Sequence, residues 1–208
     1  MTRTGESIRS LMEQLASDHP SERCEAIEAF AQRRHPRAVR ILHKALLFDP
    51  SDLVRCTAAE QLGHLGNRSS LPYLIAALAD TSWLVRGWAA AAIGDIATVE
   101  YRTLDIRHIM QDAIRFETHP FAALNMSYAL YRLGEREQLP RLIDYLSHRS
   151  YRIRCAAAHT LAEIVSGDNR QAIREALEKA LVKERTQAAS SAIRSALMAC
   201  EGANMSER

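Results

Sequence analysis

The sequence predicts an all-α fold, a right-handed α-solenoid of about six two-helix repeats. One observation is a recurring segment, which reads Leu-Val-Arg-Cys-Thr-Ala-Ala at residues 53–59 and Leu-Val-Arg-Gly-Trp-Ala-Ala at residues 84–90. A third copy reads Arg-Ile-Arg-Cys-Ala-Ala at residues 152–157, and weaker copies fill the gaps. The other observation is the regular spacing of these copies along the chain. A period of about 20 to 50 residues is typical of chains whose units bury apolar surface only against their neighbours.

The arginine of this segment marks an anchor position in each unit. The anchors are residues 23, 55, 86, 123, 154 and 186, with Ala123 and Thr186 in place of arginine, and most units are 31 or 32 residues apart. The interval between the third and fourth anchors is 37 residues, and residues 99–103 supply the extra length as a helical turn or a longer loop. The sequence therefore predicts one solenoid over residues 1–201 and a frayed polar tail over residues 202–208.

Each unit reads as a leucine-rich first helix, a turn that usually carries an acid, and a second helix that contains the recurring segment. In the second unit, residues 41–46 form the apolar stripe of the first helix, residues 49–52 interrupt it, and residues 54–65 resume it. The same order continues to the last second helix, which is predicted from about Glu184 to Cys200.

An acid precedes the anchor arginine by six residues in two units, as Asp49 before Arg55 and Asp80 before Arg86. A carboxylate at this place can cap the second helix and meet an arginine of the same or a neighbouring unit. The paired alanines that follow allow successive second helices to approach closely, which larger side chains would prevent.

The repeated positions are specific enough to indicate a family. They resemble the HEAT repeats, and in particular the short bacterial version that is also found in phycobilin lyases. The resemblance covers nearly the whole chain and implies an armadillo-type superhelix, but the repeated residues build the stack itself and indicate little about function. The matching positions are Asp49 with Val54-Arg55-x-x-Ala58-Ala59-x-x-Leu62-Gly63, Asp80 with Val85-Arg86-x-x-Ala89-Ala90-x-x-Ile93-Gly94, and Ile153-Arg154-x-x-Ala157-Ala158-x-x-Leu161.

Composition narrows the possible functions. The 27 basic and 25 acidic residues give a net charge of +2, so the chain lacks the charge of a general nucleic-acid binder. No apolar run approaches the roughly 18 residues of a membrane span, and the first residues lack the apolar stretch of a secretory signal. We therefore predict a cytoplasmic protein with no membrane partner.

Motifs of enzyme chemistry are missing from the sequence. Deoxyhypusine hydroxylases are HEAT-like enzymes whose iron site depends on His-Glu pairs, and none of the eight histidines here is followed by Glu. Phosphate-binding glycine loops and a nucleophile elbow are also missing. Cys24, Cys56 and Cys155 each follow an anchor directly, which indicates packing rather than a metal site or a disulfide. The prediction is a protein that is not an enzyme and has no cofactor or metal.

In HEAT folds the second helices usually line the concave surface, and positions two, five and nine after the anchor share one helix face. In the middle units these positions include three rings, Trp88, Tyr128 and His159, which predict an aromatic strip suited to a protein partner. The alternative is that Trp88 or Tyr128 fills space between helices. The predicted partner-binding residues are Trp88, Asn125, Tyr128, Arg132, His159 and Glu163.

A basic patch follows the second helix of the first unit. It lies at an inter-helix turn, where it could dock an acidic partner or a phosphate backbone, or could be an ordinary solvated turn neutralised by Glu22, Glu25 and Glu28. The patch consists of Arg33, Arg34, Arg37 and Arg40.

The leading prediction is a non-enzymatic interaction module, an adaptor, scaffold or regulator that binds a protein of unknown identity along the concave face. The resemblance to phycobilin lyases implies an alternative, in which a tetrapyrrole packs against Trp88 and Tyr128 with its propionates near Arg132. A further alternative is nucleic-acid binding through residues 33–44 and the arginines of the fifth unit, although the balanced charge argues against it. The oligomeric state is not predicted.

Overall fold

In the computed structural model, residues 7–97 and 105–202 are described, and they fold into twelve α-helices stacked as six pairs. The predicted all-α solenoid is confirmed. The prediction for residues 99–103 and that for residues 203–208 of the tail concern residues outside these ranges, whereas Gly202, the first residue of the predicted tail, ends the last helix. The helices are α1 Ile8–Gln14, α2 Pro20–Gln32, α3 Ala38–Phe48, α4 Asp52–Leu65, α5 Leu71–Ala77, α6 Trp83–Ile96, α7 Ile106–Phe116, α8 Pro120–Arg132, α9 Gln138–Asp144, α10 Tyr151–Glu163, α11 Arg170–Lys183 and α12 Gln187–Gly202.

The turns between paired helices follow from local sequence. Serine in an extended conformation precedes α4, α6 and α10, at Ser51, Ser82 and Ser150. Proline occupies the first turn of α2 and α8, where its missing N–H is not needed for the helix. Gly66 ends α4 with φ 63°, a left-handed conformation that glycine adopts at little cost.

The second helices, α2 to α12 in even order, form the closely packed layer of the solenoid. Consecutive second helices contact one another extensively, apart from α8 and α10, whereas the first helices contact one another little. The approach is closest at glycine, since a Cβ on Gly63 would lie 3.1 Å from Ala92 Cα and one on Gly94 would lie 2.9 Å from Ala129 Cα. In a curved stack the more tightly packed layer lies at the inner radius, so we infer that the second helices line the concave face.

Among the described residues, four arginine–carboxylate pairs join consecutive units at the edge where first helices turn into second helices. In each pair, Nε and Nη2 of an anchor arginine donate to both oxygens of the acid in the next unit's turn, over 2.6 to 2.9 Å. Nη1 donates to the carbonyl oxygen six residues before the same arginine. Each arginine therefore fastens its own turn to the next one. We call these pairs the turn ladder: Arg23–Asp49, Arg55–Asp80, Arg86–Glu117 and Arg154–Glu184.

The turn ladder is interrupted between α8 and α10. Ala123 stands at the anchor of the fourth unit, and His148 stands where the next unit would carry its acid. The Nδ1 atom of His148 accepts from the Ser150 amide at 3.1 Å, so it replaces a carboxylate within the turn. No guanidinium reaches it from Ala123.

Close helix contact is also lost at this place. Tyr131 lies eight residues after its anchor, at the position that Gly63 and Gly94 hold in earlier units, and its hydroxyl accepts from Asn169 Nδ2 at 2.7 Å. The main apolar core accordingly extends from Cys24 to Leu133, and a second core extends from Leu124 to Cys200. We call this boundary the α8–α10 junction.

Candidate functional site

The concave face has the register that the repeat pattern predicts. The residue nine positions after the anchor is exposed in every unit, so this position faces away from the stacked helices. The residues of this inner row are Gln32, His64, Asp95, Arg132, Glu163 and Ser195.

The predicted partner-binding residues divide into an accessible group and an enclosed group. Arg132, His159 and Glu163 are exposed, and Trp88 is half-buried. Asn125 and Tyr128 are only 8% and 5% exposed, so the three predicted rings do not form a continuous exposed strip.

The burial of Tyr128 has a clear physical cause. Its hydroxyl donates to Asp95 Oδ1 at 2.5 Å and accepts from Arg132 Nη1 at 3.1 Å, which ties α8 to α6 where the backbones approach at Gly94. Burial and the Asp95 carboxylate raise the pKa of Tyr128 well above its usual range. Tyr128 therefore fills space between helices, as the alternative interpretation of this residue expected.

The sequence analysis did not predict an acidic surface that lies on α2, α4 and α6. Glu25, Glu28, Glu60 and Asp95 occupy inner positions of α2, α4 and α6, and neither arginine nor lysine stands at positions two, five or nine of these helices. Burial raises the pKa of the Glu60 carboxyl, with opposing effects from His64, which lowers it, and Glu28, which raises it. The repeat register applied to the first two units would have revealed this surface, which we call the acidic inner patch.

The predicted basic patch lies at the opposite edge from the turn ladder, where α2 turns into α3. Arg34, Arg37 and Arg40 are exposed, and Arg33 is half-buried at the end of α2. In the part of the chain that the structure describes, no ion pair joins Glu22, Glu25 or Glu28 to Arg34, Arg37 or Arg40. Arg34 has φ 45°, a conformation that Gly66 and Gly134 adopt at the corresponding turns.

Replacing Arg34 by glycine is expected to stabilise the fold by about 1 kcal/mol, because the left-handed conformation is strained for a residue with a Cβ. The urea midpoint, followed by circular dichroism, measures this gain. Arg37→Gly is the matched control, since Arg37 has φ −91° and gains nothing from glycine. Equal midpoints for the two variants would contradict the strain at Arg34.

His43, His119 and Cys56 are held in packing contacts. His43 Nε2 lies 2.9 Å from Ser70 Oγ and its ring stacks on Tyr73, while His119 stacks on Trp83 with centroids 3.8 Å apart. Burial lowers the pKa of both histidines. It raises the pKa of the Cys56 thiol to about 11, which keeps this group protonated at neutral pH.

The described residues contain neither a metal-binding cluster nor a membrane-spanning helix. Within residues 7–97 and 105–202, no cluster of three histidine, cysteine or acidic side chains is placed to hold a metal ion. None of the helices described above is both long and apolar enough to span a bilayer.

The stacked pairs, the concave layer of second helices and the turn ladder define an α-solenoid of repeated helix pairs. Residues 8–100 match the family of HEAT repeats, and residues 139–167 match a HEAT repeat, so the two segments together cover more than half of the chain. The chain belongs to the HEAT-repeat proteins.

Solved structures of the same fold are also similar to this chain. The complex of CpcE and CpcF of phycocyanin lyase from Nostoc sp. PCC7120 contains a chain that is 20% identical, with a TM-score of 0.51 over 96% of this chain and 97% of that one. A designed armadillo repeat protein is 19% identical, with a TM-score of 0.42 over 93% of this chain and 100% of its own. No curated protein sequence matches the chain significantly.

Proposed function

We propose that this HEAT-repeat protein is a non-enzymatic adaptor that holds a basic segment of a protein partner along its concave face. The observation that carries the proposal is the acidic inner patch, where four carboxylates from three consecutive helices lie at inner positions that hold no lysine or arginine. A single-sign surface within a concave wall attracts a partner of opposite charge and favours its correct orientation.

The patch has the other properties that binding needs. Glu25, Glu28 and Glu60 form no ion pair within the described residues, so a partner's lysine or arginine does not have to displace an existing bond. Glu28 and Glu60 repel each other, and a bound cation removes that repulsion. Trp88 lies half-buried on the same face, where it supplies an apolar contact beside the charges.

The comparison with CpcE and CpcF supports the proposal only at the level of the fold. That structure is a complex of two named proteins, so a solenoid of this kind is held there with another protein chain. A role in pigment handling would use Tyr128 as a platform, and its ring is enclosed with its hydroxyl bonded to Asp95. Binding of a protein segment is therefore the function that the accessible residues support best.

The test uses a fluorescent amphipathic helical peptide of about 20 residues with a lysine-rich polar face. We expect it to bind the wild-type protein with an affinity that falls with salt, and to bind Glu28→Lys/Glu60→Lys at least tenfold more weakly. The control Glu137→Lys/Asp144→Lys changes the charge equally at two exposed positions at the ends of α9 and should bind as the wild type does.

Equal binding by the two charge-reversed variants, or no binding by the wild type, would refute the proposal. A visible absorbance change on mixing the protein with free bilin would instead indicate a pigment-handling protein.

A further inference from the structure

The edge that carries the turn ladder also carries exposed apolar side chains. Among the described residues, most of the large apolar side chains that remain exposed lie within a few residues of a turn from a first to a second helix. Phe116 and Val182 are 80% and 88% exposed, and Tyr151 is 42% exposed. We call the set the turn-edge ridge: Phe48, Leu53, Trp83, Phe116, Tyr151 and Val182.

Contacts between turns show that the turn-edge ridge runs from one unit to its neighbour. Trp83 stacks on His119 of the next turn and meets Phe121 edge-on at 5.6 Å. Further along the chain, Arg154 reaches Glu184. The turns of the third and fourth units therefore lie side by side, as do those of the fifth and sixth units. Across the α8–α10 junction, burial lowers the pKa of His119 and His148 lies close enough to lower it further. Packed helices are separated by about 8 to 10 Å, so within each of these two parts the ridge offers about one apolar group per 10 Å.

In the second half of this edge, the exposed charged side chains of the turns are basic. The turns and helix ends at residues 115–121, 148–152 and 182–186 contain two acids, Glu117 and Glu184, and both are buried in the turn ladder with side chains 2% exposed. The exposed charges that remain there are basic, namely Arg115, which pairs with Asp112 of α7 at 3.6 Å, and Arg149, Arg152, Lys183 and Arg185. The turn ladder thus removes the acids from the surface and leaves the bases outside.

We propose that this half of the edge, with Phe116, Tyr151 and Val182 among these bases, is a second docking surface that binds an acidic amphipathic helix of a protein partner. An α-helix rises about 10.5 Å in seven residues, so apolar side chains at seven-residue intervals match the separation of neighbouring stacked turns. Glutamates beside that stripe would meet arginine in charge-assisted hydrogen bonds. Tyrosine and arginine at the centre of the patch are residue types that dominate protein interfaces.

The same spacing favours a helix over the other anionic surfaces. One apolar group per unit, alternating with bases along an edge of the superhelix, matches the linear stripe of a helix. A bilayer would require apolar groups that share a plane. Phosphate backbones give Phe116 and Val182 no apolar contact. This surface is distinct from the acidic inner patch and prefers the opposite charge.

The test measures the anisotropy of a labelled helical peptide of about 20 residues, with leucine at every seventh position and glutamate on both sides of the stripe. We expect Tyr151→Ala/Arg152→Glu to weaken binding at least tenfold. The control Met198→Ala/Arg194→Glu removes an exposed apolar side chain and an exposed base from α12, and it should bind as the wild type does. Thermal unfolding verifies that both variants fold.

Two further measurements make the result specific. The variant Glu28→Lys/Glu60→Lys should bind the acidic peptide as the wild type does, so failure at the inner patch is distinguishable from failure at this edge. Wild-type affinity in Tyr151→Ala/Arg152→Glu would overturn the proposal. It would also be overturned if phosphatidylserine vesicles or duplex DNA bound through Arg152 while the acidic peptide did not.

Discussion

Replacement of Arg86 by alanine should destabilise the folded protein by about 3 to 5 kcal/mol, because it removes one partner of a buried ion pair and leaves the other. The Glu117 side chain is 2% exposed and accepts from Arg86 at 2.6 and 2.9 Å. Without the guanidinium, its charge is buried beside only the amides of Thr118 and His119. Urea unfolding followed by circular dichroism at 222 nm measures the loss.

The control for this variant is Arg152→Ala, which removes an exposed base from the same edge and should change stability by less than about 0.5 kcal/mol. If the turn ladder holds the units together, the loss of stability in Arg86→Ala must clearly exceed the loss in Arg152→Ala.

Acid titration gives a second readout of the same pair. Burial raises the pKa of Glu117, but Arg86 and the turn amides outweigh burial and hold it below its usual range. The stabilisation is therefore present above about pH 4.3, the unfolded value, and is lost as pH falls towards the folded pKa.

Gly94→Ala should destabilise the protein by about 1 to 2 kcal/mol, even though alanine is the better helix former. The new Cβ would lie 2.9 Å from Ala129 Cα, a backbone atom that moves only if α6 and α8 separate. At Gly87 the nearest atoms, at 2.5 and 2.6 Å, belong to the half-buried Phe121 ring, which can turn aside. Gly87→Ala should therefore cost less, although its contact is shorter. Thermal melting of both variants measures the order, and the reverse order would contradict the role of backbone contact at Gly94.

The repeat register made much of the fold predictable. The anchor positions located the second helices, and the ninth position after each anchor is exposed as that register requires. Spacing alone could not assign the partners of the turn ladder. Asp49 precedes Arg55 by six residues, yet it gives Arg55 only a carbonyl oxygen, while the Asp49 carboxylate binds Arg23 of the preceding unit. That choice depends on how neighbouring turns stack, which a single unit does not encode.

The aromatic strip was harder to predict because exposure depends on the distance between helices. Trp88 and Tyr128 lie on the inner face, but α6 and α8 meet closely at Gly94, and this contact encloses Tyr128 with Asp95. The same packing of second helices leaves Glu60 of α4 only half-buried. Side chains in equivalent positions can therefore differ in access, and the sequence pattern does not report the separation of each helix pair.

We expect the superhelix to bend or stretch more easily at the α8–α10 junction than at its other joints. Elsewhere bidentate ion pairs, glycine contacts, or both, join consecutive units, so we expect each part of the stack to move as one unit. At the junction Ala123 and Tyr131 remove both restraints, and we expect bending or stretching to be absorbed there first. Arg132 and Glu163 lie on opposite sides of this compliant joint. A molecule that contacts both side chains would fix the angle between the two parts of the stack. It would thereby set the curvature of the whole solenoid.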